Sequence, residues 1–142
     1  MEVTVVNLQR KVPLDSSVFR SFTEFLTSAV SEAKGKEFAV AFVSDRRMKE
    51  LNSFFRRKDS TTDVLSFRHE ADEFEKDTSN LGDVVISAEQ AARQAQENGL
   101  SLENEIKQLI LHGVLHLCGY DHETDSGEMN GRELELRDKL GI

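Results

Sequence analysis

The chain has 142 residues, 38% of them hydrophobic, and a formal net charge of -8. Length and composition suit a single folded domain with a real core, and exclude a disordered chain. The acidic balance excludes a general nucleic-acid coat protein, and no apolar run is long enough to cross a bilayer.

Glu2 to Asn7 alternates in the manner of a strand around Val3, Val5 and Val6. Asp15 or Ser16 is placed to cap a helix reaching about Lys34, with Phe19, Phe22, Phe25, Leu26, Ala29 and Val30 at helical spacing and Gly35 as its stop. Phe38 to Val43 is a short apolar run without polar alternation, which predicts a strand buried on both faces. Ser44 or Asp45 caps a second helix through Met48, Leu51, Phe54 and Phe55, and a polar loop from Arg57 to Thr62 follows. Asp63 to Phe67 and Gly82 to Ile86 read as strands, separated by an acidic loop around Glu70 to Thr78. Ser87 caps a helix to Asn98 stopped by Gly99, and Ser101 caps another that carries two histidines. A last helix runs from about Ser126 to Leu140. Strands interleaved with helices predict an α/β (α+β) fold of one domain over 1–142, a small mixed four-stranded sheet packed with helices.

Three of the four histidines fall in one segment, His112-Gly113-Val114-Leu115-His116-Leu117-Cys118-Gly119-Tyr120-Asp121-His122. On a helix, residues four apart share a face, so His112 and His116 can turn two imidazoles toward one ion. Gly119 can take the left-handed conformation that reverses the chain and returns His122 as a third ligand. Three protein ligands leave a position open for water, the catalytic pattern for zinc. The alternative is a set of core histidines satisfied by backbone or carboxylate groups, but this helix is apolar around most of its circumference and buried imidazoles need partners. Cys118 lies about 200° around the helix from His116, so it reads as a small core residue rather than a ligand. His69 sits in a charged loop and reads as solvated. With a single cysteine no internal disulfide can form, and a reducing compartment is expected. Met1 to Thr4 lacks the basic start and apolar stretch of a signal peptide, so the cytoplasm is the expected setting.

The spacing resembles the zinc signature of the metzincin peptidases, with one departure. Position 113 is glycine where those enzymes carry the glutamate that serves as general base. Peptide cleavage then lacks its usual proton acceptor, and the ligand frame points to another hydrolysis. Met129 follows the third histidine, but its surroundings read as helical rather than as a methionine turn. A basic cluster, Arg46, Arg47, Lys49, Arg56, Arg57 and Lys58 against Glu50 alone, can draw a polyanion to one place on an acidic protein. It also fits a solvated helix face.

Three segments together resemble the YbeY family of bacterial endoribonucleases, also called rRNA maturation factors. They are Leu51-Asn52-Ser53-Phe54-Phe55-Arg56-Arg57-Lys58-Asp59 running into Thr62-Asp63-Val64-Leu65-Ser66-Phe67, then Leu81-Gly82-Asp83-Val84-Val85-Ile86-Ser87, then the histidine motif. The resemblance implies one α/β domain with a zinc site in a cleft, one Zn(2+) per chain, held by His112, His116 and His122. It implies metal-dependent cleavage of single-stranded RNA, maturation of the small-subunit rRNA 3′ end, and ribosome quality control. Partners implied are ribosomal RNA and the small ribosomal subunit, with ribosomal proteins or an assembly GTPase as further candidates, and no membrane. Arg56 carries over as the catalytic arginine that forks onto phosphoryl oxygens, and Arg57 and Lys58 are expected to hold the flanking backbone. Pairing of Arg56 with Asp59 or Asp63 is the structural alternative. Two residues depart from the family pattern: Phe55 stands where tyrosine is common, and Arg68 where proline is usual. The general base is unassigned, with Asp121, Asp63 and Asp83 as carboxylates to consider and Asp121 also as a partner to a ligand histidine. A small metallopeptidase and a non-enzymatic ribosome-assembly factor with structural zinc are the competing readings.

Overall fold

Phe38, Val40 and Phe42 alternate with Ala39 and Ala41, and the alternation sorts the two faces of the central strand. In the computed structural model, which describes residues 4–70 and 79–142, β1 (Thr4–Asn7), β2 (Glu37–Val43), β3 (Val64–Arg68) and β4 (Asn80–Ser87) form one sheet in the order β1-β2-β4-β3. β1 and β4 both run parallel to β2, and β3 closes the sheet antiparallel to β4. Among the described residues five α-helices cover it: α1 (Ser16–Ala29), α2 (Asp45–Arg56), α3 (Ala88–Asn98), α4 (Leu102–Leu117) and α5 (Glu128–Leu140).

The main core lies on one face. Phe38, Val40 and Phe42 of β2 and Val84 and Ile86 of β4 pack there against Phe19, Phe22 and Leu26 of α1 and the apolar side of α4. Ala91 of α3 and Met129 and Leu136 of α5 join the same cluster. The other face carries a smaller cluster of Val43, Met48, Leu65 and Val85 beneath α2. β2 is therefore not buried equally on both sides: Ala39 and Ala41 are only half-buried, because the layer above them is thinner.

Side-chain caps fix the helix starts. Ser44, Ser87 and Ser101 each accept a backbone N–H from the third residue beyond, satisfying a donor that the first turn leaves unpaired. The first helix is shorter than its periodicity predicts. It ends at Ala29, Val30 turns extended to bury itself completely, and Ser31–Ala33 forms a 3-10 turn. The last helix begins at Glu128 rather than Ser126, because Asp125 accepts the N–H groups of Gly127 and Met129 at 2.9 Å each. The acidic stretch at 71–78 lies outside the described residues.

Candidate metal centre

α4 ends in a closed turn that redirects the chain. The Tyr120 N–H reaches the Leu115 carbonyl at 3.1 Å and the Gly119 N–H reaches the His116 carbonyl at 3.0 Å, which is the Schellman arrangement. It needs a residue with positive φ between them, and Gly119 supplies it at 106°. Asp121 then accepts the Glu123 N–H on its side chain at 3.0 Å and the Asp125 N–H on its carbonyl at 3.0 Å, closing the next turn. His122 is carried back over the helix by these two turns.

The three predicted ligands meet. Ring centroids of His112, His116 and His122 lie 4.9, 5.5 and 5.1 Å apart, and one nitrogen from each falls within 4.8 Å of the others. His112 and His116 are half-buried and His122 is exposed, so the cluster is open on one side. Burial, then the neighbouring His112 and His122, push the His116 pKa below its ordinary value. The neutral ring, which is the form that ligates, is favoured.

A partner for His112 comes from α5. His112 Nδ1 and Glu133 Oε1 are 2.6 Å apart, and Arg137 donates to the other Glu133 oxygen at 2.8 Å. Burial works to raise the Glu133 carboxyl, but the hydrogen bond from His112 and the charges of His112 and Arg137 outweigh it and hold it below the ordinary carboxylate range. An ionised acceptor at Nδ1 leaves Nε2 unprotonated for a metal. Asp121 makes no such hydrogen bond to His112: its Oδ1 accepts the Glu123 N–H at 3.0 Å, and its charge acts on His116 instead. Glu133 is separated from His112 by more than twenty residues of chain, and the only hint in the sequence is a carboxylate on the buried stripe of the last helix.

The donor set fits a divalent transition ion: three imidazoles, an open side, and a carboxylate behind the first ligand. Cys118 is outside this set. Burial and the Glu32 charge push its thiol up to about 11, and its sulfur lies 3.7 Å from the Glu32 carbonyl. His69 is exposed at the far end of β3. Met129 is buried within α5.

Gly113 accounts for the missing glutamate. A Cβ at that position would lie 2.7 and 3.0 Å from the two methyl groups of Val84 on β4, and 3.1 Å from Ser66 Oγ on β3. Ser66 Oγ also donates to the Gly113 carbonyl at 3.1 Å, locking helix to sheet. Any side chain there would have to push Val84 aside.

The histidines lie in a cleft of about 960 Å³ between the end of α2, the length of β3 and the turn after α4. Arg56 and Lys58 line it, and Arg56 reaches Glu123 on the opposite wall at 4.0 Å rather than Asp59 or Asp63. Asp59 is 3.7 Å from Lys49. Arg57 is exposed and is not among the residues lining the cleft; it terminates α2 in the left-handed region at φ 56°. Asn52, nearly fully buried, donates to the Ser60 carbonyl at 2.8 Å and so pins the loop that carries Lys58. Asp63 lines the cleft and accepts the Val64 N–H at 2.8 Å. Asp83 is exposed on β4 opposite Phe67, on the face away from α4.

The model of the family described as Endoribonuclease YbeY matches residues 4–141. The chain belongs to the YbeY family. An Endoribonuclease YbeY from Nautilia profundicola is 49% identical over 107 residues, 75% of this chain and 74% of that protein. The Koribacter versatilis relative of the same name is 47% identical over 124 residues, 87% of this chain and 78% of its own. The one from Geobacter metallireducens is 37% identical over 140 residues, 98% and 92% of the two chains. The solution structure of TM1509 from Thermotoga maritima superposes with a TM-score of 0.66 at 27% identity, covering 97% of this chain and 88% of that one. The expected fold, a single-domain mixed four-stranded sheet with helices, is the one observed. No helix among the described residues is long and apolar enough to cross a membrane.

Proposed function

We propose that this member of the YbeY family is a metal-dependent endoribonuclease, cutting single-stranded RNA and maturing the 3′ end of small-subunit rRNA in the cytoplasm. The observation that carries the reading is the meeting of three imidazoles in a cleft whose rim bears Arg56 and Lys58. Zinc suits the three nitrogen donors, and His112, His116 and His122 would hold one ion. Bound there, it would supply Lewis-acid chemistry toward water or a phosphoryl oxygen.

The chain's own residues do the rest. Glu133 fixes the tautomer and orientation of His112, with Arg137 neutralising its charge from behind. Arg56 is half-exposed and bound only loosely to Glu123, so its fork is free to turn onto the phosphoryl oxygens where charge accumulates. Lys58 takes a flanking phosphate as a point charge, and Arg57 adds to the field from outside the cleft. The lack of room at position 113 speaks against the peptidase alternative, which needs a carboxylate there.

Cleavage of single-stranded RNA by the purified, zinc-loaded protein is expected to vanish in His116→Ala and with a chelator. Cleavage that survives both would overturn the metal-centred mechanism. A zinc-loaded wild type that cuts neither free RNA nor RNA on small ribosomal subunits would overturn the nuclease and favour an assembly role.

A further inference from the structure

α2 ends by placing two phenyl rings in water. Phe54 is 79% exposed and Phe55 56% exposed, although nearly two turns earlier the same helix buries Met48 completely. A scattered apolar side chain on a surface needs no explanation, but a contiguous aromatic patch rimmed by cations marks a recognition surface. These rings are contiguous. Phe54 and Phe55 meet at 4.8 Å between centroids and 75°, and Phe55 meets Phe67 of β3 at 5.0 Å and 64°. Phe67 is half-buried against the small core beneath α2, so the row is anchored at its inner end.

The row leads into the cleft. Phe55 and Phe67 both line it, together with Arg56, Lys58 and the three histidines. Edge contacts from its two neighbours hold Phe55 while more than half of its surface stays open. Apolar π faces beside Arg56 and Lys58 match one ligand chemistry: a polyanion whose bases are unstacked. A paired duplex hides its base faces, whereas a single strand can lay a base on an aromatic ring while its phosphates meet the cations.

Building on the ribonuclease reading above, we infer that Phe55, backed by Phe67 and extended outward by Phe54, is a base-stacking platform that selects single-stranded RNA and sets the strand's position at the histidine cluster. Phe55 is a substrate-binding residue here, and the hydroxyl of the tyrosine common at this position is not needed for the role.

The test is binding of a single-stranded RNA carrying 2-aminopurine at successive positions, followed by fluorescence in chelator so that no cutting intervenes. Phe55→Leu is expected to weaken binding about 5- to 150-fold, the range for losing one stacked base, and to abolish the fluorescence change at one position. Phe55→Tyr is expected to retain both. Phe54→Leu, at a site too exposed to disturb folding, is expected to lose affinity for long oligonucleotides and not for short ones. Equal binding of wild type and both leucine variants, or equal binding of duplex and single strand, would overturn the platform and leave the patch to a protein partner. If that result came with intact zinc-dependent cleavage, the ribonuclease reading would stand without it; a wild type that neither bound nor cut RNA would remove both.

Discussion

Gly113 of α4 rests against Val84 of β4 so closely that a Cβ at position 113 would come within 2.7 Å of a Val84 methyl group. Helix and sheet approach here because one partner has no side chain, and the approach sets how far His112 and His116, on either side of Gly113, stand from β3. Val84 is fully buried and β-branched, so it cannot rotate away cheaply. Gly113→Ala adds about 1 kcal/mol of helix propensity, but overpacking costs about 1–3 kcal/mol. Net destabilisation is expected in urea unfolding of the metal-free protein. Gly113→Glu should fail to fold rather than become a peptidase; a stable, folded Glu variant would contradict the close packing.

Glu133→Ala is expected to weaken zinc binding about 10- to 100-fold, because His112 loses the acceptor at Nδ1 and Arg137 loses its partner. Glu133→Gln keeps an acceptor without the charge and should fall between. Chelator competition measures the series. Unchanged affinity in both would show that the contact serves packing alone.

Arg56→Ala should lower cleavage about 100- to 1,000-fold if the guanidinium meets the developing charge. Its contact with Glu123 is exposed and 4.0 Å long, worth about 0–1 kcal/mol. Zinc content and the melting transition should therefore stay unchanged. A lowered melting temperature or lost zinc would move Arg56 into a structural role.

Arg57 gives a separate test of the cation track. It holds a left-handed conformation that glycine adopts without the steric cost. Arg57→Gly is expected to stabilise the protein by about 1 kcal/mol, and to leave cleavage nearly intact because the side chain does not line the cleft. A large loss of activity at moderate salt would place Arg57 among the phosphate contacts.

Glu32 ties the turn beyond α1 to the loop that leads to His122. Arg132 of α5 donates to both its oxygens, at 2.8 and 2.7 Å, and the Tyr120 hydroxyl donates at 2.9 Å. The Arg132 hydrogen bonds, with that of Tyr120 and against burial, bring the Glu32 carboxyl down to about 2 from 4.5. A carboxyl depressed on folding binds more protons in the unfolded chain, so its stabilisation is present above 4.5 and fades as pH falls toward 2. Glu32→Gln should flatten the fall in stability across that window, and lower stability at neutral pH by about 1–3 kcal/mol. An acid-unfolding curve identical to wild type would assign the acid sensitivity elsewhere.

The meeting of His112, His116 and His122 was legible in the chain because their spacing is a local property: a helix followed by a glycine-dependent turn brings them together without any distant contact. Capping serines and the positions of the strands were legible for the same reason, since side-chain period and first-turn hydrogen bonds involve neighbours. The early end of α1 was not, because helical periodicity continues past Ala29 and only the demand for a buried Val30 and a correctly placed Glu32 breaks it. The partners chosen by His112 and Arg56 were not legible either. Glu133 stands out only as a carboxylate on the buried stripe of the last helix and Glu123 is an ordinary exposed acid, so only the packing of α5 and the loop after His122 shows which histidine and which arginine they meet. The sequence by itself determined the clustering of His112, His116 and His122 and the order of the secondary elements, through contacts within a few turns of chain. The tertiary structure decided what stands behind and around those histidines, because burial and charge at a site are set by elements far apart in sequence.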